Sequence, residues 1–586
     1  MRNKGKQQNV IRIVLSVGIL LVLVIVGVLP KPQDEGNVAP DAADAPAVTE
    51  FGATLQELLK EIVNQEAVDQ MILEELASGA YTFEEPLVIE DPYDTSPLTA
   101  LIAFHTDSPS TVSIKVYGKT SSADVDFTFD TYDLEHLIPV YGLYEEQENS
   151  VELTATMADG RQQTNCISVC ASKITGKRNN LIINTYVINE KSLQGGMTFT
   201  YENKLAFDMN GDIRWINTRL SNPVAGLLDY KAGTYIDSLG AVNQGDALLF
   251  ERNLLGKISN IWYSPYGVHH DIVATGIGTL LVTGSSGDGS SVEDFIYEID
   301  ELSGGIVNSL DIKTVLPRSS SRLERDIQVD GLTTSSSSII DWLHNNAIVY
   351  MGDSIIISGR NNSSLVKMKW PSGEIEWILA SHYGWPLQYQ QYLLAPANEG
   401  EFEWTQQQHA PELLPDLDQN EDTIDIMVFD NGNYRYREDA DLVFKVQNHL
   451  VPRPEEYSRM VHYRVNEKEK TVEQIWQYGK ERGEELHSST RGDADLLMNG
   501  NRLGLFSRFT NIRDQVSQYT VIPEVNVNGE LQWEALLTSE NGHLLEYRVE
   551  RLPLYRESDY DLRIGTKTNI LIPPEVLAAN GVIWDE

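Results

Sequence analysis

The chain has 586 residues, which is too long for one compact hydrophobic core, so two or more domains are expected. Hydrophobic residues make up 41% of the chain, enough for globular folding, and the formal net charge is −41. Such an acidic surface excludes nucleic-acid binding, because phosphate contact needs a basic surface. An anionic substrate would have to be held by a local basic pocket.

An apolar run at residues 13–29 comes first and is preceded by several Arg and Lys residues. As a helix, this run would span about 26 Å, close to the thickness of a bilayer core. Basic residues stay on the cytoplasmic side, so the chain after residue 30 is predicted to be extracytoplasmic. No A-x-A cleavage pattern directly follows, so residues 1–30 are expected to remain as a membrane anchor rather than be removed as a signal peptide.

Residues 31–84 are predicted to form a tether followed by a helical segment. The tether is rich in Pro, Ala, Asp and Gly, and from about 50 to 78 apolar residues recur at spacings of three and four. Residues 85–175 change to short alternating strands with frequent turns, which predicts a small β-sandwich. The two cysteines of the chain, Cys166 and Cys170, fall here, and a short disulfide between them is left open.

A recurring Gly-x-Ile-x-Trp signature, or a relative of it, marks residues 176–586. Each copy follows an alternating strand and a polar turn, as at 211–215, 373–377 and 529–533. Four-stranded units repeated about six times predict a six-bladed β-propeller, in which the Trp packs between neighbouring blades. The predicted fold is therefore all-β, with an N-terminal transmembrane helix, a β-sandwich and a propeller.

Two hairpins in the propeller region begin in the same way. Residues 341–360, DWLHNNAIVYMGDSIIISGR, predict a polar turn, a strand, a Gly-Asp corner and a returning strand. His344 and Asn346 would face the same side of the first strand, and the returning strand would bring Arg360 back near His344. The earlier hairpin begins with HHDI, and aligning the two hairpins matches His269 with His344.

A third histidine, His409, precedes another predicted strand. Because the innermost strands of a propeller line its central channel, His269, His344 and His409 would crowd one mouth of the channel together with Asn346 and Arg360. Three imidazoles can bind zinc, but an Arg beside them favours a tetrahedral anion over a metal. The sequence therefore predicts transfer of an anionic group to one histidine, without a metal or other cofactor.

These motifs resemble those of the bacterial arylsulfate sulfotransferases. The resemblance covers nearly the whole exported part of the chain and includes HHDI, LHNNAI, SGRNNSS and QHAPEL in that order. It implies a β-sandwich followed by a six-bladed propeller. It also implies that a sulfuryl group passes from an aryl sulfate ester to a phenol, by a ping-pong mechanism through a sulfohistidine and without the nucleotide donor PAPS.

The resemblance further implies a role for each site residue. His409 would be the nucleophile that is transiently sulfated. A histidine of the HHDI motif would complete the set, either His269, as the internal alignment indicates, or His270 as the alternative. The sulfuryl oxygens would be held by the three remaining residues, His344, Asn346 and Arg360.

Other classes of function stay open at this point. A non-catalytic extracellular propeller could bind polyanions or protein partners, and Gly-x-Ile-x-Trp repeats also occur in propeller oxidoreductases that use a quinone. The preferred interpretation has a phenolic sulfate donor and a phenol acceptor as partners, and a membrane contact through the N-terminal helix. A homodimer is one option for the oligomeric state.

Overall fold

The computed structural model describes residues 50–582, apart from 176–179, 220–224, 232, 243, 318–340, 398–399, 401, 453, 513–514, 543 and 557–559. The predicted transmembrane run 13–29 and the predicted tether lie outside the described residues. Among the described helices, none combines the length and apolar character needed to cross a membrane. The described α-helices are α1 Glu50–Ala77, α2 Ala440–Gln447 and α3 Pro574–Ala579.

Five antiparallel strands form the N-terminal sheet: β1 Leu87–Glu90, β2 Ala100–Val116, β3 Val125–Val140, β4 Glu148–Met157 and β5 Gln162–Cys170. Strand β2 changes neighbours along its length, because its first half pairs with β1 and its second half with β4. Alternation along β2 buries Val112, Ile114 and Val116 on one face, as the sequence pattern predicts.

The two cysteines do not form the short disulfide that the sequence left open. Cys166 and Cys170 are free thiols, and both lie on β5. Four residues along a strand separate their Cα atoms by about 13 Å, whereas a disulfide joins Cα atoms less than about 7 Å apart.

The described residues from 181 onward form six further sheets. Their strands are β6 Leu181–Val187, β7 Met197–Thr200, β8 Leu205–Phe207, β9 Ile213–Ile216, β10 Gly226–Lys231, β11 Thr234–Gly240, β12 Ala247–Asn253, β13 Ile258–Ser264, β14 Ile272–Ala274, β15 Thr279–Gly284, β16 Phe295–Asp300, β17 Ile306–Asp311, β18 Asn345–Tyr350, β19 Ser354–Gly359, β20 Ser364–Lys369, β21 Ile375–Leu379, β22 Ala395–Pro396, β23 His409–Leu413, β24 Thr423–Asp430, β25 Arg459–Asn466, β26 Thr471–Tyr478, β27 Asp493–Leu496, β28 Arg502–Ile512, β29 Gln515–Val525, β30 Leu531–Ser539, β31 Val549–Leu552 and β32 Asn569–Leu571.

Each of these sheets has four consecutive antiparallel strands at its centre, with one exception that joins the two ends of the region. The exception has the order β31-β7-β8-β9, so its first strand comes from near the C-terminus and the other three from the start of the region. Three sheets gain an extra outer strand, β32, β22 or β6. The first strands of successive sheets contact one another, from β10 through β14, β18 and β23 to β27. This order is consistent with a β-propeller and confirms the all-β prediction.

Tryptophans connect four of the six sheets to the next, and three of them, Trp215, Trp377 and Trp533, belong to the repeat found in the sequence. Each is buried, and its indole N–H donates to a group on the following sheet. The four bonds are Trp215 to the Leu254 carbonyl at 2.8 Å, Trp262 to the Glu301 carbonyl at 2.9 Å, Trp377 to the Glu467 carboxylate at 2.7 Å and Trp533 to the Met209 carbonyl at 2.9 Å. The last of them joins the final sheet to the first.

Candidate active site

Four inner strands are tied together at the end where their predicted site residues lie. Asp271 accepts from the Ile348 backbone N–H at 2.8 Å and from the Arg548 guanidinium at 2.8 Å. Arg548 also donates to the Asn346 carbonyl at 3.2 Å, and the Asn346 side chain donates to the Gln408 carbonyl at 2.8 Å. These bonds fix the starts of β14, β18, β23 and β31 relative to one another.

The hairpin of β18 and β19 forms as predicted. Asn345 lies opposite Gly359, and the Arg360 backbone N–H donates to the His344 carbonyl at 3.1 Å, which confirms that Arg360 returns to His344. The guanidinium of Arg360 donates to two neutral oxygens, Asn361 Oδ1 and the Ser489 carbonyl, both at 3.1 Å. Burial lowers the pKa of Arg360, and the negative charges of Asp341 and Glu293 act against this shift. A guanidinium stays charged at physiological pH, and its two hydrogen-bond partners carry no charge of their own.

His344 is held between two carboxylates. Its Nδ1 lies 2.6 Å from Asp341 Oδ2 and 2.7 Å from Glu293 Oε2. Burial disfavours the charged ring, but the carboxylates of Asp341 and Glu293 outweigh it and raise the pKa of His344 to about 10. His344 is therefore an imidazolium at neutral pH, with Nδ1–H bound by carboxylates and a second N–H on Nε2.

His409, in contrast to His344, is a neutral imidazole. It is 1% exposed, and burial, followed by the positive charge of Arg360, holds the pKa of His409 well below its usual range. Its Nδ1 lies 2.7 Å from Asn431 Oδ1, and its buried Nε2 has no hydrogen-bond partner in the described part of the chain. A neutral imidazole with its proton directed at an oxygen acceptor carries the lone pair on the other nitrogen, here Nε2.

Of the two adjacent histidines, His270 is the one that contacts the other site residues. Its Nε2 lies 3.1 Å from Glu293 Oε2, its Nδ1 lies 2.9 Å from the Tyr547 hydroxyl, and its ring centroid is 4.7 Å from that of His344. His269 directs Nε2 at the Gly284 carbonyl, and burial lowers the pKa of His269 to about 4.

The backbone explains this one-residue difference from the predicted alignment. His270 and His344 both adopt left-handed conformations, with φ of 58° and 55°, immediately before the residues that enter β14 and β18. The structural match is therefore His270 with His344, whereas the sequence alignment matched His269 with His344. The His269 and His270 rings pack edge to face, with 5.2 Å between their centroids.

Sequence reasoning did not find four of the residues that form the site. Asp341 is three residues before His344 in the stretch that was singled out, so that spacing was a usable signal. Glu293, Asn431 and Tyr547 come from distant parts of the chain. The Tyr547 ring lies 6.2 Å from the His409 ring and is 2% exposed, which makes it an aromatic wall of the site.

Two overlapping groups in the described residues could hold a metal ion. They are His269, His270 and Glu293, and Glu293, Asp341 and His344, with one ligand atom from each residue within 4.8 Å of the others. In the second group, protonated His344 already places a positive charge between the two carboxylates. Burial acts to raise the pKa of Glu293, but His344, His270 and His269 hold it well below its usual range. The protein thus supplies the counter-charge that a cation would bring.

Comparisons with known proteins agree with this arrangement of domains and motifs. The family model "Arylsulfotransferase (ASST)" matches residues 174–548, and "Arylsulfotransferase Ig-like domain" matches residues 87–172. Arylsulfate sulfotransferase AssT of Escherichia coli O6:H1 is 26% identical over 589 residues, covering 79% of this chain and 92% of the relative. Arylsulfate sulfotransferase AssT of Lelliottia amnigena is 25% identical over 520 residues, covering 68% and 81%.

Solved structures give a weaker likeness. A proposed 6-phosphogluconolactonase of Bacteroides fragilis has a TM-score of 0.31 and 10% identity, and covers 61% of this chain and 82% of its own. A TM-score of this size does not assign a fold. The family model covers more than half of the chain and includes every predicted site residue. The chain therefore belongs to the arylsulfotransferase family, with an Ig-like N-terminal domain.

Proposed function

We propose that this protein is a PAPS-independent aryl-sulfate sulfotransferase on a six-bladed β-propeller, which transfers a sulfuryl group from a phenolic sulfate ester to a phenol. The observation that carries the proposal is the charge arrangement around His409. A neutral, buried imidazole with an unbonded Nε2 is a nucleophile, and His344 and Arg360 supply positive charge beside it. Such fixed charges stabilise an anionic group in transfer.

In the first half-reaction, His409 Nε2 attacks the sulfur of the donor, the nitrogen–sulfur bond forms and the bond from sulfur to the aryl oxygen breaks. Arg360 and the second amide N–H of Asn346 donate to the sulfuryl oxygens, and the Nε2–H of His344 lies between a sulfuryl oxygen and the aryl oxygen. The departing phenolate takes the proton of His344, whose pKa of about 10 is similar to that of a phenol. His409 keeps its Nδ1 proton throughout.

In the second half-reaction, an acceptor phenol returns its proton to His344, and its oxygen attacks the sulfur of sulfated His409. The oxygen–sulfur bond forms, the nitrogen–sulfur bond breaks, and both histidines regain their starting states. His344 is thus the general acid of the first half-reaction and the general base of the second. In this proposal the role that the sequence gave to His269 passes to His270, which supports Glu293 and Tyr547 at the edge of the site.

The proposal also includes where the enzyme works. Residues 13–29 form an uncleaved membrane anchor and the rest of the chain is extracytoplasmic, since basic residues precede the apolar run. The enzyme would then meet its phenolic donors and acceptors outside the cytoplasm, and its reaction would need no PAPS there. Fluorescence of a tag at the C-terminus tests on which side of the membrane the chain lies. The intact mass of the protein from the membrane fraction tests whether residues 1–30 are retained, and a chain that lacks them would contradict the anchor.

Steady-state kinetics test the reaction itself. We expect repeated turnover of a donor with a coloured phenol only with a second phenol present, and double-reciprocal plots at several acceptor concentrations to be parallel. Without acceptor, one equivalent of coloured phenol should be released and the protein mass should rise by one sulfuryl group. Intersecting plots would contradict the sulfohistidine intermediate. Absence of release from several donors would favour the non-catalytic binding propeller.

The pH dependence of the first half-reaction should report His344. Because the raised pKa keeps His344 protonated up to about 10, single-turnover release of coloured phenol is expected to be constant from neutral pH and to fall as the pH passes about 10. A sulfate ester donor does not titrate in this range. His344→Asn should react more slowly and lack the alkaline limb. If His344→Asn keeps an alkaline limb at the same pH, the limb comes from the titration of another group.

A further inference from the structure

The side chain that faces His409 Nδ1 belongs to Asn431, which directly follows β24. Asn431 is fully buried, and its Oδ1 lies 2.7 Å from His409 Nδ1. The strand before it is fixed against β23, because His409 pairs with Phe429 in the antiparallel register. The Asn431 carbonyl also accepts from the Ser458 hydroxyl at 2.8 Å. Asn431 therefore has little freedom to move relative to His409.

The orientation of the Asn431 amide is set by groups other than His409. Its Nδ2 donates to the Ser488 carbonyl at 2.7 Å and to the Arg491 carbonyl at 2.8 Å. A carbonyl can only accept, so the amide nitrogen must face these two oxygens and the amide oxygen must face His409. The loop that carries the carbonyls is itself held, since Arg491 forms a two-pronged ion pair with Glu202 at 2.8 and 3.1 Å.

An acceptor-only oxygen beside Nδ1 selects one tautomer of a neutral imidazole. Nδ1 must carry the proton, and Nε2 must carry the lone pair that points into the site. The opposite tautomer would place two lone pairs 2.7 Å apart in a buried setting, which is unfavourable. An amide, unlike a carboxylate, achieves this selection without adding a negative charge that would favour protonation of His409.

We propose that Asn431 is the positioning residue that fixes the tautomer and ring orientation of His409, so that sulfation occurs at Nε2. This rests on the proposed function for its catalytic meaning, but the tautomer itself can be measured without any substrate. Asn431 does not touch the reacting sulfur in this proposal. It acts through His409 by holding Nδ1–H in every step of the cycle.

The test uses the full-length chain with isotope-labelled histidine, and compares the wild type with Asn431→Ala and Asn431→Asp. Nitrogen chemical shifts of His409, assigned with His409→Asn, should show Nδ1–H in the wild type and loss of that single tautomer in Asn431→Ala. Asn431→Asp retains an oxygen acceptor and should retain Nδ1–H, while its negative charge raises the pKa of His409. In the sulfation step, we expect Asn431→Ala to lower kcat by about 10- to 100-fold, the size found for residues that orient a reacting ligand, with little change in KM.

Asn433→Ala is the matched control. Asn433 is a buried asparagine in the same loop and donates to Gln407 Oε1 at 2.8 Å and to the Ser489 carbonyl at 2.7 Å, so its loss perturbs the loop without removing the acceptor of His409. A purely structural role of Asn431 would make the two alanine variants alike in tautomer. Nε2–H on His409 in the wild type, or Nδ1–H retained in Asn431→Ala, would overturn the proposal.

The two proposals can fail separately. A wild type with the expected tautomer but no sulfuryl transfer from any donor would remove the proposed function and leave the role of Asn431 toward His409 intact. An active wild type with the opposite tautomer would do the reverse. Should Asn431→Ala not fold, the wild-type tautomer and the Asn431→Asp variant still decide the question.

Discussion

Replacement of His409 by asparagine is expected to lower kcat for sulfuryl transfer by about 10⁴- to 10⁶-fold, the range seen when a nucleophile is removed. The reason is that the proposed covalent intermediate forms on His409 Nε2, a buried nitrogen with no hydrogen-bond partner among the described residues. An asparagine at 409 can still donate an N–H to Asn431 Oδ1, so the loop should keep its structure. The measurement is acceptor-dependent release of a coloured phenol, with intact mass after donor alone.

The control is His449→Asn. His449 is exposed and has φ of 57°, a left-handed conformation that asparagine adopts readily, so the same substitution there should leave kcat and folding unchanged. Comparable thermal unfolding of both variants would show that a loss at 409 is chemical. Wild-type rates in His409→Asn would clear His409 of the nucleophile role and point to another histidine of the site.

Local sequence was enough to predict the hairpin that carries His344 and Arg360. A Gly-Asp corner between two apolar runs specifies both strands and their return, and β18 and β19 pair antiparallel as expected, with a register shift between Asn345 and Ile348. The repeated Trp positions were equally informative, because a buried indole must find an acceptor and the neighbouring sheet offers one.

The partners of the histidines could not be predicted in the same way. Glu293 lies in a polar loop between β15 and β16, and Tyr547 lies two residues before β31, the C-terminal strand that completes the first sheet, so only the closed arrangement brings them to His270. The internal alignment that favoured His269 did not include the left-handed backbone at His270, where the side chain contacts Glu293 and Tyr547.

Two replacements of Arg360 should distinguish the contribution of its side-chain shape to the rate from the contribution of its charge. Arg360→Lys keeps a positive charge but loses the planar fork that can bind two sulfuryl oxygens, and Arg360→Gln loses the charge as well. We expect either change to lower kcat of the sulfation step by about 10²- to 10³-fold, as for removal of one donor that stabilises an anionic transition state. Pre-steady-state release of the coloured phenol measures this step directly.

The pH profiles of the two variants should then differ. Burial and, after it, the charge of Arg360 lower the pKa of His409, and the neutral ring is the reactive form. Without that charge the imidazolium of His409 is less disfavoured, so its pKa rises and the acid limb of the sulfation rate moves to higher pH in Arg360→Gln. In Arg360→Lys the charge remains and the limb should stay near its wild-type position. Equal limbs in both variants would mean that burial alone keeps His409 neutral, and that Arg360 acts on the sulfuryl oxygens without tuning the nucleophile.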